Sequence, residues 1–312
     1  MDSPPFATKP TKLKPRLGGL KNLERLLGLR QDQILPTDAI FISLDLEVAS
    51  DRKTLHLSAG KPVVTQLGFA TLDTRDIRAL SSLSDMRGFI SIRMFKVAGL
   101  SSSKTAQSKG KKRCVFVKPR HITQEQVPTT LTQNLRIHDG SSKDGPLRNI
   151  VLVGHSIRED LKIIRLLDIN IFDVAPVLTA INTYVIARYI LPPYSPNICL
   201  QPEQNFSLAG VLSELGCQPD PSEFHNADND AVYSLYMMLL LAIKQGTSRN
   251  AELTIDELRN LETLKWVVFK TLESGVSTTS FNRHNHNYKS TITLGAGIRE
   301  IGVIAQFSRL KR

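Results

Sequence analysis

The sequence predicts an α/β domain in which helices flank a mixed five-stranded sheet. Runs rich in β-forming residues dominate the first half of the chain, and strands then alternate with segments of helical periodicity. Apolar residues make up 41% of the 312 residues, which is enough to build a sizeable core. Charged residues make up 22%, a share typical of folded chains rather than disordered ones.

Strands are predicted mainly before residue 175. Three runs combine β-branched and aromatic residues with alternating polar and apolar positions. A compact apolar run, NIVLVG, is of the type that is buried in a mixed or parallel sheet. The five predicted strands are residues 39–48, 62–72, 88–97, 149–154 and 170–174, and residues 114–117 could pair back as a further short strand.

Helices are predicted from apolar residues spaced three or four apart and from signals at the helix ends. Ser207 is a good N-cap and Gly216 a good C-terminal stop for one of them. The predicted helices are residues 20–27, 159–167, 179–191, 208–215, 228–244 and 255–270, with a helical turn at 123–127. Residues 291–307 could supply a strand pair.

The predicted elements divide the chain into three parts. Residues 1–36 form a basic, mostly irregular N-terminal arm, and residues 37–246 form the α/β domain. Residues 99–113 (GLSSSKTAQSKGKKR) form a low-complexity loop inserted into that domain. Residues 247–312 form a C-terminal extension whose role the sequence leaves open. The chain has no run of about 18 apolar residues, so we expect no membrane partner.

Positive charge is concentrated outside the predicted core. The formal net charge is +11, and residues 96–120 contain eight Lys or Arg and no acid. The rest of the predicted domain is acidic, which fits a polyanion gripped by basic segments while carboxylates gather around metal ions. Basic segments that only aid solubility are the alternative. The candidate nucleic-acid-binding residues in the inserted loop are Lys109, Lys111, Lys112 and Arg113.

Two acids on the first predicted strand are the first candidate site residues. Asp45 and Glu47 lie two positions apart, so on a strand their side chains project to the same face. Two carboxylates in a buried sheet repel each other and lose their hydration unless a cation compensates them. An exposed strand end, where water solvates both acids, is the alternative.

Two later segments add two acids and a histidine. The strand that ends at Gly154 leads into a helix with Asp160 in its first turn. In the segment HNADNDA, His225 and Asp230 flank the start of a long apolar helix. Either segment alone has an ordinary explanation, because acids are favoured in the first turn of any helix and a histidine can occur there by chance.

Together and in this order, the three segments resemble the motifs of the DEDDh exonucleases of the ribonuclease H-like superfamily. The resemblance rests on D-L-E at 45–47, on the G-H-S-x-x-x-D segment that ends at Asp160, and on H-N-A-D-N-D at 225–230. It extends over about residues 39–245. More narrowly, the chain is similar to a fungal branch that includes the Argonaute-interacting exonuclease of gene silencing. Val48 is a departure, since many members have Thr or Ser after the first-motif Glu.

The resemblance implies a 3′→5′ exonuclease that acts on RNA or single-stranded DNA by a two-metal mechanism. Two Mg²⁺ or Mn²⁺ ions, about 3.5–4 Å apart, would clamp the attacking and leaving oxygens. Asp45 would bridge both ions. Glu47 and Asp230 would complete the ion that activates water, and Asp160 would hold the other. His225 would accept the proton of that water, which a histidine can do near neutral pH.

Two other interpretations remain open. One is a catalytically silent ribonuclease H-like module that binds nucleic acid or a protein partner, although all five motif residues are intact. The other is a scaffold with a chance motif match. The three cysteines are far apart and suggest neither a zinc site nor a disulfide framework. We expect an intracellular protein, nuclear or cytoplasmic; a mitochondrial transit peptide is the alternative, which the prolines near the N-terminus disfavour.

Overall fold

The computed structural model describes residues 17–31, 38–49, 61–78, 90–98, 114–140, 145–191, 206–217 and 219–275. In these ranges the strands are Leu17–Gly18 (β1), Ile40–Val48 (β2), Val64–Asp73 (β3), Ile90–Val97 (β4), Arg120–Ile122 (β5), Ile150–Gly154 (β6) and Val177–Asn182 (β7). They form one mixed sheet in the order β1-β7-β6-β2-β3-β4-β5. β2 is central, since it pairs antiparallel with β3 and parallel with β6.

Helices pack on both faces of this sheet. They are Leu20–Leu26 (α1), Thr74–Arg78 (α2), Val127–Leu135 (α3), Arg158–Leu166 (α4), Ile171–Val174 (α5), Thr183–Ile190 (α6), Leu208–Glu214 (α7), Ala227–Ser248 (α8) and Ile255–Gly275 (α9). Short 3₁₀ turns precede α3, α8 and α9. α8 is buried on almost all sides over its first four turns, which its run of apolar residues requires. None of the helices in the described part of the chain has the length and apolar composition needed to cross a membrane.

Two apolar cores lie on opposite faces of the sheet, because successive strand residues project to opposite sides. From β2, Phe41 enters the core beneath α8, while Ile42 and Leu44 enter the core that α3 and α4 cover. Asp45 and Glu47 continue the Phe41 series at the end of the strand. Since β6 and β7 run parallel to β2 and end beside it, the two acids lie at an end of the sheet where several strands finish.

The predicted α/β class, a mixed sheet flanked by helices, is confirmed, although the sheet has seven strands rather than five. Four predicted strands lie within two residues of their observed bounds. The fifth, at 170–174, is wrong. The side chain of Asn170 accepts a hydrogen bond from the amide of Phe172 and caps the short helix α5 instead. The strand is β7, and the helix predicted over 179–191 accordingly begins only at Thr183.

The short strand predicted at 114–117 is also wrong. These residues lie in irregular backbone, and the strand that pairs with β4 is β5, which runs parallel to it. The helical turn predicted at 123–127 is the start of a longer element, since the 3₁₀ turn Gln124–Gln126 leads directly into α3. The strand pair predicted at 291–307 lies outside the described residues.

Segments on both sides of the predicted domain 37–246 pack on the core beneath α8. β1 adds to the edge of the sheet beside β7, and α1 buries Leu23 and Leu26. α9 buries Leu261, Leu264 and Val268 against this core. The two segments also meet each other, because the side-chain amide of Asn260 donates to the carbonyl oxygen of Gly28 at 2.8 Å. The folded core therefore reaches beyond both ends of 37–246, and the three-part division stays a prediction.

Candidate active site

Three carboxylates meet where β2 ends. Carboxylate oxygens of Asp45, Glu47 and Asp230 lie within 4.8 Å of one another. Asp45 and Glu47 project from one face of β2, and Asp230 comes from the first turn of α8, whose N-terminus crosses that face. Three oxygen donors at this separation can share one divalent cation, and hard oxygen ligands suit Mg²⁺ or Mn²⁺.

Asp160 is attached to the same strand by a backbone hydrogen bond. It lies in the first turn of α4, is only 7% exposed, and accepts a hydrogen bond from the amide of Leu46 at 3.0 Å. Leu46 is the residue between Asp45 and Glu47. The turn from β6 into α4 therefore brings a fourth carboxylate to the strand that carries the first two.

Burial disfavours the ionised forms of Asp45 and Asp160. The pKa of Asp45 is raised well above its ordinary value, first by burial and then by the neighbouring carboxylates of Asp160, Asp230 and Glu47. Burial also raises the pKa of Asp160, although its hydrogen bond from Leu46 acts in the opposite direction. Bringing four ionised carboxylates together costs free energy, which bound divalent cations would recover. The residues present therefore fit a metal centre.

The end of β2 is irregular beside Glu47. The pairing of β2 with β3 shifts register between Glu47 and Val48, and the hydroxyl of Thr65 in this bulge donates to the carbonyl oxygen of Glu47 at 3.1 Å. Bulges bend a strand and redirect its side chains, and they are frequent beside active sites. The bulge thus helps to set the direction of Glu47 and leaves Val48 partly exposed.

Gly68 lets α8 approach close enough to bring Asp230 to the site. It pairs with Asp45 across the β2–β3 ladder, directly beneath the start of α8. A Cβ atom at Gly68 would overlap the carbonyl group of Ala227 and lie 2.6 Å from the amide nitrogen of Asp228. Gly68 is not among the residues predicted for the site. Its signal in the sequence is a glycine inside a β-rich run, which often marks close approach of another backbone segment.

Further contacts fix the first turn of α8. The amide of Ala227 donates to the side-chain oxygen of Gln66 at 3.2 Å, so Gln66 caps the helix from β3. On the other side, the amide of Val115 donates to the side-chain oxygen of Asn229 at 3.2 Å. Asp228 is fully buried on that side, and burial raises its pKa to about 6. The structure thus brings Asp230, rather than Asp228, to Asp45 and Glu47.

The two motif histidines have different environments. His225 is exposed, immediately precedes the N-cap Asn226 of α8, and has a backbone φ of 58°. A histidine in the left-handed region is strained, and such residues cluster at functional sites. Both ring nitrogens of His155 are instead occupied, one by the hydroxyl of Thr183 and one by the carbonyl oxygen of Phe206. Burial lowers the pKa of His155 to about 4, so this ring stays neutral and supports the turn.

The predicted nucleic-acid-binding residues of the inserted loop, Lys109, Lys111, Lys112 and Arg113, lie outside the described residues.

Residues 40–241 match the family model described as DEDDh, DNA polymerase III subunit epsilon-like, C-terminal domain. This match covers more than half of the chain and takes in all four carboxylates and His225. It runs from the start of β2 to within α8, so it excludes α1 and α9. A comparison with curated proteins finds no match.

Proposed function

The chain belongs to the DEDDh family of epsilon-like exonucleases, and from this membership we propose that it is a metal-dependent 3′→5′ exonuclease acting on RNA or single-stranded DNA. The observation that carries the proposal is the set of carboxylates gathered at the end of β2 by three separate elements. We also propose that the chain is related to the fungal branch that includes the gene-silencing exonuclease, and this narrower proposal rests on the sequence motifs alone.

The four acids divide between two ligand sets. Asp45, Glu47 and Asp230 would hold one divalent cation, and Asp160 with Asp45 would contribute to a second. When bound, the ions supply positive charge that activates water and stabilises the leaving oxygen. Mg²⁺ and Mn²⁺ are the ions we propose, because every ligand is a carboxylate oxygen. The chain itself provides the rigid frame, through the capping of α8 by Gln66 and the bond from Leu46 to Asp160.

His225 is the proposed general base. It is exposed and lies just before the helix that carries Asp230. Keeping a histidine in the left-handed region costs of order 1–3 kcal/mol, a strain that a glycine at this position would relieve. A catalytic role for the side chain accounts for its presence.

Replacing His225 with asparagine is expected to slow hydrolysis by about 10²–10⁴-fold without reducing metal binding. Asparagine tolerates the left-handed backbone, so the substitution removes the base and keeps the local conformation. Single-turnover kinetics with saturating Mn²⁺ measure the chemical step, and the Mn²⁺-induced rise in unfolding temperature measures metal binding. An equal loss of both would make His225 a structural support of the metal centre instead.

The proposed activity is tested with 5′-labelled single-stranded RNA and DNA in Mg²⁺, Mn²⁺ or EDTA. We expect a ladder of products that shorten from the 3′ end in either metal, and none in EDTA. Products cut internally, or a labelled mononucleotide released before any shortened intermediate appears, would contradict the 3′→5′ polarity. Binding of the strand without cleavage in any metal would favour the catalytically silent module.

A further inference from the structure

A row of polar side chains leads away from the acidic cluster across the sheet. Glu47 on β2 pairs with Gln66 on β3, and Gln66 pairs with Lys96 on β4. Lys96 in turn pairs with His121 on the edge strand β5. Paired residues of neighbouring strands project to the same face, so this row lies on the face that carries the cluster. With strands about 4.8 Å apart, Lys96 is roughly 10 Å from Glu47.

Among the described residues, the ammonium group of Lys96 forms no ion pair. Lys96 is half-buried, and no carboxylate lies within 4.0 Å of its ammonium group in the part of the chain that the structure describes. Lys96 lies near the thiol of Cys114, to which its side chain hydrogen-bonds, and near the buried carboxylate of Asp228, and it lowers the pKa of each against the opposing effect of burial. A half-buried lysine with no carboxylate at close range can bind an incoming anion.

Positive charge is concentrated in the sequence that begins at Lys96. Residues 96–120, which end at the first residue of β5, carry eight Lys or Arg and no acid. Both anchor points of the inserted segment lie near Lys96: Ala98 follows it by two residues, and Cys114 is among its neighbours. This local excess of positive charge attracts a polyanion towards the segment that begins at Lys96.

We propose that Lys96 binds a backbone phosphate a few nucleotides from the scissile bond, so that the strand lies across the ends of β3, β4 and β5. The roughly 10 Å that separates Lys96 from Glu47 places such a phosphate beyond the nucleotide that is cleaved. The inference rests on the proposed exonuclease function and adds a length preference to it. A single-nucleotide substrate does not reach Lys96.

Binding to a metal-free protein tests this contact independently of catalysis. The probe is a 5′-fluorescein-labelled ten-nucleotide strand, titrated in EDTA at several salt concentrations. For Lys96→Gln we expect about tenfold weaker binding, and a slope of log Kd against log salt that is smaller by about 0.7. Arg120→Gln is the matched control, because it removes the same charge from a residue that pairs with Phe95 and so projects to the opposite face. We expect less than a twofold change there.

A comparison of two substrates separates this inference from the proposed function. For the ten-nucleotide strand and for thymidine 5′-(p-nitrophenyl phosphate), a single-nucleotide diester, kcat/KM is measured with Mn²⁺. The ratio of interest is kcat/KM for the ten-nucleotide strand divided by kcat/KM for the single-nucleotide diester. Lys96→Gln is expected to lower this ratio about tenfold, because KM for the longer substrate rises. Arg120→Gln is expected to leave the ratio unchanged.

Three outcomes would overturn the role of Lys96. The first is an unchanged ratio in Lys96→Gln, and the second is an equal loss of binding in both variants. The third is an equal fall of kcat/KM for both substrates together with a lower unfolding temperature, which would make Lys96 a structural partner of Asp228. A wild-type protein that cleaves neither substrate contradicts the proposed function instead, and the binding titration then decides on Lys96 alone.

Discussion

Replacing Asp45 with asparagine is expected to abolish metal-dependent hydrolysis while raising the unfolding temperature of the metal-free protein. The pKa of Asp45 is raised in the folded protein by burial and by three neighbouring carboxylates. An acid whose pKa is raised on folding destabilises the fold at any pH above its ordinary pKa, where the unfolded chain ionises it freely. Asparagine has the same shape and no charge, so it removes that cost together with the metal ligand.

The two effects of Asp45→Asn are measured separately. Loss of a metal ligand is expected to lower kcat/KM by about 10³-fold or more, because bound ions contribute several kcal/mol to the stabilisation of the transition state. In EDTA, the unfolding temperature is expected to exceed that of the wild type, by an amount that grows as the pH rises above about 4. Each kcal/mol gained corresponds to about 2–4 °C. Addition of Mn²⁺ should reverse the order, since only the wild type gains the full stabilisation of binding.

Asp173→Asn is the matched control, since it removes a charge from an exposed acid on α5. We expect little change in its activity or in its response to Mn²⁺. Robust residual hydrolysis in Asp45→Asn would contradict the metal-ligand role. An unfolding temperature below that of the wild type in EDTA would contradict the electrostatic cost.

Replacing Gly68 with alanine is expected to destabilise the fold strongly, although it adds only one methyl group. The added Cβ meets the backbone of Ala227 and Asp228, which cannot rotate away as a side chain could. Either β3 or the first turn of α8 must shift, and overpacking of this kind costs about 3 kcal/mol or more. Since Asp230 lies in that turn, we expect activity to fall as well.

Unfolding in urea and kcat/KM measure the two consequences of Gly68→Ala. Gly19→Ala is the matched control, because it adds the same methyl group where no described atom beyond its chain neighbours lies within 4 Å. Its stability should stay within about 1 kcal/mol of the wild type. A Gly68→Ala protein with unchanged stability and activity would show that α8 does not depend on close approach to β3.

Long periodic elements of the fold were predictable from sequence, and short ones were not. The apolar residues of β2 and α8 are numerous enough to predict both elements, and the observed bounds agree with the prediction to within a few residues. β1 and β5 have two and three residues and show no periodicity of their own. They are strands only because β7 and β4 offer them backbone partners. At 170–174, the capping side chain of Asn170 overrides a β-rich composition.

The acids of the site were predictable because their order along the chain is distinctive. The third motif predicted Asp230 as a site residue, and among the described residues the structure places Asp230, and not the neighbouring Asp228, with Asp45 and Glu47. The cross-strand positions of three further residues, which bring them close to the acids or to α8, were not predictable; these residues are Gln66, Gly68 and Lys96. Each depends on which residue of one strand lies opposite which residue of the next, and a single sequence does not specify that register.

The metal centre is tested most directly by anomalous diffraction from crystals grown with Mn²⁺. We expect two peaks about 3.5–4 Å apart at the end of β2, one in contact with Asp45, Glu47 and Asp230 and the other with Asp45 and Asp160. A map with no peak at these carboxylates, at a Mn²⁺ concentration that supports hydrolysis in solution, would contradict the assignment of these four acids as the catalytic metal site.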